Sequence, residues 1–382
     1  MEWPVRVLQI TIGDGTFSGI ANFLYSFYSH MNHEKVRFDF LYCGENSLAS
    51  KMGSSVLRDS KITTLHVMKR NNNGFKEYYS LIKELRRYFE DNRYHIIHIN
   101  SSNLFVNTCI TCMCHKKNIC IGHSHNTKSP IEYSSFIKKQ IKKTVRIPCQ
   151  KYIVEKDNWL LACSTQAGEY LYSEKAVQGP KFKVINNAID INKYIYNPMK
   201  RKLLRTNDKI IFGTVGRLTN QKNPLFLIDI FNEIHKKNGN TMLWLVGDGE
   251  LRHEVEEKVK HLGLNNDIVI MGVRNDIADL MQAMDIFLLP SLYEGLAFVL
   301  IEAQAAGLPI FVSDSVTKEA KVTNLLEYIP LSIGAKEWAD IILSKLENIP
   351  ERRNTGEQLI KAGFDICTEA KKLEEFYISL MV

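Results

Sequence analysis

Residues 285–302 read DIFLLPSLYEGLAFVLIE. DIFLLP is an apolar run of strand length that stops at a proline. A short loop follows, and then an apolar stretch of helix length from about Ala297 to Ala306, closed by Gly307. Strand, loop and helix in this order are one step of a βαβ chain. Two glutamates, Glu294 and Glu302, bracket seven uncharged residues. Carboxylates among apolar neighbours are costly unless something pairs with them. The helix start has no good N-cap, because Gly295, Leu296 and Ala297 carry no side-chain acceptor. Its unpaired N–H groups, with Phe298 and Val299 as donors, suit a phosphate. Glu302, a turn into the helix, suits paired hydroxyls such as a ribose diol, and Glu294 reaches another part of the same ligand. Together these features suit a nucleotide-sugar; the bland alternative is a surface helix with incidental glutamates.

The same step repeats outward in both directions. VRVLQITI (5–12), RFDFLY, HIIHIN (95–100), NICIGHSHN and WLLACS (159–164) read as strands. Gly19–Met31 and 76–89 read as helices between them. The pattern breaks at INKYIYNPMKRKLLRTND (191–208), which is polar, basic and without period, and is expected to link two domains. It restarts with KIIFGTVG (209–216), TMLWLVG (241–247), DIVIMG (267–272) and LPIFVSD (308–314). PLFLIDIFNEIHKKNG starts at proline and ends at glycine, as a helix does. The expected fold class is α/β, two Rossmann-like parallel-sheet domains facing across a cleft. Residues 1–195 form the first domain, 196–364 the second, and the helix at 365–382 packs back on the first. Ligands on such sheets bind beyond the carboxyl ends of the strands.

Three loops at those ends stand out. GDGTFSG after the first strand holds Gly13, Gly15 and Gly19, which lets backbone approach a ligand or simply makes a tight turn. GRLTNQKN carries Arg217 and Lys222, a pair that suits a diphosphate or else decorates a surface loop. VRNDIADLMQAMD places Arg274 on a loop and offers Asp276 as the cap of the next helix.

The chain has 382 residues, of which 45% are hydrophobic and 24% charged, enough for two globular cores. The start, MEWPVRVLQITIG, has no charged stretch before an apolar one, and no run reaches the ~18 apolar residues of a membrane span. A cytoplasmic protein is expected. The net charge of +7 suggests an acidic partner. Lys138, Lys139, Lys142, Lys143 and Arg146, interleaved with apolar residues, form either a solvated helix face or a dock for anionic lipid headgroups. Nucleic-acid binding rests on charge alone and lacks a reading module. Of eight cysteines, Cys109, Cys112, Cys114 and Cys120 cluster near histidines. One Cys-x-x-Cys is not a zinc finger, so no metal site is expected, and the first three fit a buried helix.

EGLAFVLIEAQAAGLP, GRLTNQKNP, LVGDGELR and GVRNDIADLMQAMDIFLLPS, in this combination over nearly the whole chain, resemble the retaining GT-B glycosyltransferases marked by Glu-x7-Glu, the group 1, family 4 type. HSHN (123–126) and SLYEGL are similar to the branch that builds bacterial capsular polysaccharides and exopolysaccharides. The resemblance implies that Arg217 and Lys222 hold the donor diphosphate and Glu302 the ribose. Glu294 would contact sugar hydroxyls, Phe298 and Val299 would offer backbone donors, and Arg274 would contact the base. His125 would touch the donor sugar near the reacting carbon, with His123 its rival. Ser18-Gly19 stands where the family has paired glycines, which leaves the role of the first loop, Gly15 included, open.

The implied reaction moves a hexose or N-acetylhexosamine from a nucleotide-diphosphate sugar, UDP before other bases, with retention. Two cations take the place of a metal, and no cofactor is expected beyond the nucleotide-sugar co-substrate. The implied acceptor is a lipid-linked oligosaccharide at the inner face of the cell membrane, docked through 138–146. An epimerase of the same shape and an inactive nucleotide-sugar-binding scaffold are the competing expectations. Donor sugar, linkage and oligomeric state are not written in these motifs.

Overall fold

The computed structural model describes residues 4–12, 19–43, 60–65, 74–101, 103–114, 116, 118–126, 136–204, 208–346 and 351–381, with side chains from residue 79 in the helix 74–91 and from residue 146 in the helix 136–156. The chain forms two compact units. The first is Met1–Ala188 together with Ile366–Val382, and the second is Ile189–Asp365.

The first unit holds a seven-stranded sheet. Its strands are β1 (Val5–Ile12), β2 (Val36–Cys43), β3 (Ile62–Leu65), β4 (Ile96–Asn100), β5 (Ile119–Ser124), β6 (Trp159–Ala162) and β7 (Phe182–Val184). Their order is β3-β2-β1-β4-β5-β6-β7, all parallel. The second unit holds a six-stranded sheet of β8 (Ile210–Val215), β9 (Thr241–Val246), β10 (Ile268–Gly272), β11 (Ile286–Leu289), β12 (Ile310–Ser313) and β13 (Leu326–Ile329). Its order is β10-β9-β8-β11-β12-β13, again parallel. Parallel strands are covered on both faces and so carry near-continuous apolar runs. β11 and β12 are buried at every residue. β3, β7 and β13 are short edge strands, three or four residues long and partly exposed, and give no such run.

Alternation along the central strands of the first unit separates two faces. Leu8, Ile10, Ile97 and Ile99 enter an apolar cluster with Leu85, Val106 and Ile110. Gln9 and His98, direct neighbours in the β1–β4 register, point the other way. The C-terminal helix Ile366–Ser379 covers that second face. Its Tyr377 packs edge-on to Phe38, and Glu374 accepts from the Asn32 amide at 2.6 Å. The core of the second unit gathers Phe212, Phe231, Leu243, Ile286 and the fully buried Trp338.

The stretch expected as a bare linker is instead built into the second unit. It contains the helices Ile191–Tyr194 and Pro198–Leu204. The Asn197 amide and the Arg201 guanidinium bond Gln282 and the carbonyls beside it, which explains why the polar composition there does not signal mobility. The unit boundary accordingly falls at Ala188/Ile189, ahead of the expected 195/196. Arg352 closes the same region. Its guanidinium donates to Met281 O at 3.0 Å, to Gln282 O and Met284 O at 2.9 Å each, and to Ala306 O at 3.1 Å. It lies 4.3 Å over the Tyr196 ring. These carbonyls end the helices Ile277–Ala283 and Phe298–Ala305, where unpaired acceptors collect.

The cysteine helix Leu104–Cys114 is less buried than expected: Cys114 is buried, Cys109 half-buried and Cys112 exposed. Lys138, Lys139, Lys142 and Lys143 have side chains outside the described residues. Arg146 is described, and it is engaged within the unit, donating to Tyr170 O and stacking 4.4 Å over the Tyr170 ring. Among the described residues no helix is long and apolar enough to cross a membrane.

Candidate functional site

In both sheets the strand order reverses direction at one point, between β1 and β4 and between β8 and β11. Chain leaves the two central strands to opposite sides there, which opens a crevice at their carboxyl ends.

In the second unit, β8 runs into Gly216 and Arg217. The loop after β9 crowds it. A β-carbon on Gly247, at φ +138°, would lie 1.9 Å from Gly216 O, and one on Gly249 would lie 2.4 Å from Leu218 O. Only glycine permits this approach. Leu218 N donates to Asp248 O at 3.1 Å, fixing the loop. A small recess results, lined by Thr214, Gly216, Arg217, Leu218 and Lys222. Arg217 is exposed at its rim.

Lys222 ends a single turn, Asn220–Lys222. Asn223 then takes the left-handed conformation (φ 54°, ψ 50°), and Pro224 opens the next helix. This sharp reversal carries the lysine back over the recess, where Nζ meets Glu294 Oε1 at 2.7 Å. Glu294 comes from the loop after β11, so the pair joins the two strands at the reversal point. Gln221 reinforces the joint by donating to Tyr293 O at 3.1 Å and to Glu294 Oε2 at 3.3 Å. Asn223 Nδ2 donates to Pro290 O at 3.2 Å.

The helix Phe298–Ala305 follows at once. Ala297 occupies the N-cap in extended conformation, and no side chain caps it. Gly307 at φ +67° closes the far end. Glu302 receives the Tyr194 hydroxyl on Oε1 at 3.0 Å. Burial pushes the Glu302 carboxyl up to about 7, opposed by that hydroxyl bond and by Lys193. Burial, then the Glu302 charge, raises the Tyr194 hydroxyl in turn. The helix cannot rotate, because Gln304 is fully bonded: Nε2 donates to Leu300 O and Ala320 O, and Oε1 accepts from Val322 N and from Thr323 N and Oγ1.

The structure thus brings Lys222, Glu294, Phe298, Val299 and Glu302 together around β8 and β11, with Arg217 beside them. Arg274, beyond β10, is directed elsewhere. Its guanidinium forks onto Asp276, with Nε at 2.8 Å from Oδ1. Asp276 therefore does not cap its helix, contrary to expectation: a charged bidentate partner two residues away outcompetes a single backbone donor. Tyr194 and Gln221 were missed from sequence. Tyr194 lies in the stretch without period, and Gln221 sits beside the more conspicuous lysine.

In the first unit Gly15 and Ser18 lie outside the described residues. Around β4 and β5, Asn100 accepts on Oδ1 from His125 Nε2 at 3.1 Å. His123 stacks against His125, ring centroids 4.1 Å apart, and Phe23 meets both rings. His123 is wholly buried and His125 is 8% exposed. Burial lowers both; His125 is held at about 3, and His123 is lowered further by its histidine neighbours. Both rings are neutral at physiological pH and act as hydrogen-bonding groups. Thr11 Oγ1 and His123 Nε2, both buried, have no hydrogen-bond partner among the described residues. No group of three His, Cys, Asp or Glu that could hold a metal is found among the described residues.

Residues 17–193 match the family described as Glycosyltransferase Family 4, and residues 197–361 match Glycosyl transferases group 1. The chain is 26% identical over 373 residues to the putative glycosyltransferase EpsF of Bacillus subtilis, covering 94% of this chain and 93% of that one. It is 29% identical over 236 residues, 58% of this chain and 60% of the relative, to a UDP-Gal:alpha-D-GlcNAc-diphosphoundecaprenol alpha-1,3-galactosyltransferase of Escherichia coli. It is 26% identical over 289 residues, 74% and 76% of the two chains, to the capsular polysaccharide biosynthesis glycosyltransferase CapH of Staphylococcus aureus. Among solved structures, Anabaena Alr3699/HepE in complex with UDP-glucose superposes with a TM-score of 0.71 at 20% identity, over 98% of this chain and 99% of that one. That likeness shows the GT-B fold.

Proposed function

We propose that this glycosyltransferase, a family 4 domain followed by a group 1 domain, transfers a hexose or N-acetylhexosamine from a UDP-sugar to a lipid-linked oligosaccharide of polysaccharide biosynthesis, with retention and without a metal. The observation that carries the reading is the convergence of Lys222, Glu294 and an uncapped helix start at the carboxyl ends of β8 and β11. A diphosphate sits between cation and helix start. Arg217 reaches it from the rim. Glu302 takes the ribose diol, and Glu294 takes sugar hydroxyls. The UDP base and the lipid-linked acceptor draw support from what the Escherichia coli relative is named for acting on. Arg274 contacts the base once it gives up Asp276. A cytoplasmic enzyme docked on anionic lipid through 138–146 fits such an acceptor.

The step balances without a covalent enzyme intermediate. The acceptor hydroxyl oxygen bonds the anomeric carbon on the face the diphosphate leaves. The carbon–oxygen bond to the diphosphate breaks, its electron pair stays on the leaving oxygen, and that oxygen takes the hydroxyl proton. Lys222, Arg217 and the helix start stabilise the developing charge. Neutral His125 orients the donor sugar.

UDP in metal-free buffer is expected to raise the melting midpoint where GDP and ADP do not; at a hundred times its dissociation constant it adds about 2.7 kcal/mol. Glu302→Ala and Lys222→Ala should abolish the rise. No stabilisation of the wild type by any nucleotide would sink the reading.

Glu302 makes binding depend on pH. Its carboxyl titrates at about 7 in the fold against the usual 4.5. The stability it contributes is present below about pH 4.5 and is lost as pH rises through about 7. A diol donates to the ionised form and pulls the value down. UDP affinity of the wild type is therefore expected to gain on that of Glu302→Gln between about pH 6 and pH 8, measured by calorimetric titration. Parallel profiles for the two proteins would remove Glu302 from the ribose.

A further inference from the structure

The buried polar side chains of the first unit close a circuit. Tyr377 O–H lies 2.6 Å from His98 Nδ1, and His98 Nε2 lies 3.1 Å from His123 Nδ1. His123 stacks on His125. His125 Nε2 meets Asn100 Oδ1, Asn100 Nδ2 donates to Gln9 Oε1 at 2.8 Å, and Gln9 Nε2 donates to the Tyr377 hydroxyl at 3.1 Å. The circuit joins β1, β4, β5 and the C-terminal helix.

The hydrogen bonds run as a chain from His125 to His123, whose rings stack, and such a chain of amides, imidazoles and one hydroxyl can run in either direction, so something must set its polarity. The His98 backbone carbonyl does. It can only accept, and Asn100 Nδ2 lies 3.4 Å from it. Asn100 therefore turns its amide nitrogen toward His98 O and Gln9, and its oxygen toward His125. His125 must carry its proton on Nε2. Gln9 accepts from Asn100 and so donates to Tyr377. The Tyr377 proton has no other acceptor among the described residues, so it goes to His98 Nδ1, and His98 donates from Nε2 to His123 Nδ1. His123 is left with a proton on Nε2, its atom without a partner among the described residues. All three rings are neutral, since burial lowers each of them.

We propose that Tyr377 and Gln9 are positioning residues: the circuit they close holds His98, His123 and His125 as Nε2–H imidazoles and presents Nδ1 of His125 as an acceptor for a donor-sugar hydroxyl. The last clause rests on the reading that His125 faces the donor. The tautomers do not.

The test is long-range proton–nitrogen NMR on the full chain labelled with ¹⁵N-histidine, beside steady-state kinetics. All three rings should show a bare Nδ1 in the wild type. Tyr377→Phe removes the donor to His98 and should shift His98 and His123 to mixed tautomers. Gln9→Met leaves the Asn100 amide nitrogen only its 3.4 Å contact with His98 O, and should loosen the hold on His125 and shift its tautomer. Each variant should lower kcat on the order of tenfold, the worth of one buried hydrogen bond, with KM for the nucleotide-sugar unchanged. An Nδ1–H ring in the wild type, unmoved tautomers in the variants, or moved tautomers with intact kcat would each overturn the proposal. If the wild type turns over no nucleotide-sugar, the functional reading fails, while the spectra still decide the tautomers. Should one variant fail to fold, the other addresses the circuit from its opposite arm.

Discussion

Lys222→Ala is expected to lower kcat/KM for the nucleotide-sugar by about 10²–10³-fold, the loss typical of one group removed from a developing oxyanion. The substitution does two things. It takes the ammonium from the diphosphate, and it leaves Glu294, whose side chain is 7% exposed, without the partner now 2.7 Å away. The second effect costs stability, about 2 kcal/mol, less than the 3–5 of a fully buried pair because the lysine still meets water. Glu294→Gln separates the two. It keeps the cation and removes the sugar contact, so UDP affinity should survive while transfer falls. Lys222→Ala should lose UDP affinity itself, as read by calorimetry. Wild-type UDP affinity in Lys222→Ala would mean that the lysine serves only to hold Glu294.

The largest stability effect is expected from Arg352→Met, a loss of about 3 kcal/mol or more in the second unit. Methionine fills much of the stem volume, so the change isolates the guanidinium. That group satisfies carbonyls at the ends of two helices, one of which carries Glu302. Without it Met281 O and Ala306 O lose their side-chain donor, and Gln282 O and Met284 O are left to Arg201 alone. A unit of this size should melt on the order of 10 °C lower. Arg353, its exposed neighbour, is the control, and its methionine variant should stay within about 0.5 kcal/mol. Equal losses in the two variants would make the effect one of net charge.

The architecture was legible because buried parallel strands impose apolar runs that nothing else of that length shows, as in DIFLLP and LPIFVSD. The edge strands β3, β7 and β13 were not, since strands of three or four residues, none with more than two of them buried, carry no period. The second unit's candidate site residues stood out because each violates its surroundings: a lysine after a strand, a helix without a cap, carboxylates among apolar neighbours. Tyr194 carries no such mark. Its meaning comes from a contact with Glu302, 108 positions away. Gln9 and Tyr377, 368 positions apart, are further beyond the reach of any local pattern. Polar residues at alternate places in a central strand, Gln9 or His98, are the one trace they leave. The cap expected from Asp276 failed for a related reason, because the competing partner was a side chain two residues upstream rather than the backbone.

The return of Ile366–Ser379 to the first unit has a consequence for how the protein is made. Synthesis runs from the amino toward the carboxyl end, yet the first unit is finished after the second. A nascent chain that has reached residue 365 contains every residue of the second unit, while the first still lacks the helix that shields Gln9 and His98. The usual vectorial order, in which the amino-terminal domain matures before the domains downstream of it, is inverted here. A premature stop codon in the closing helix would spare the second unit and strike the histidines encoded more than two hundred codons earlier.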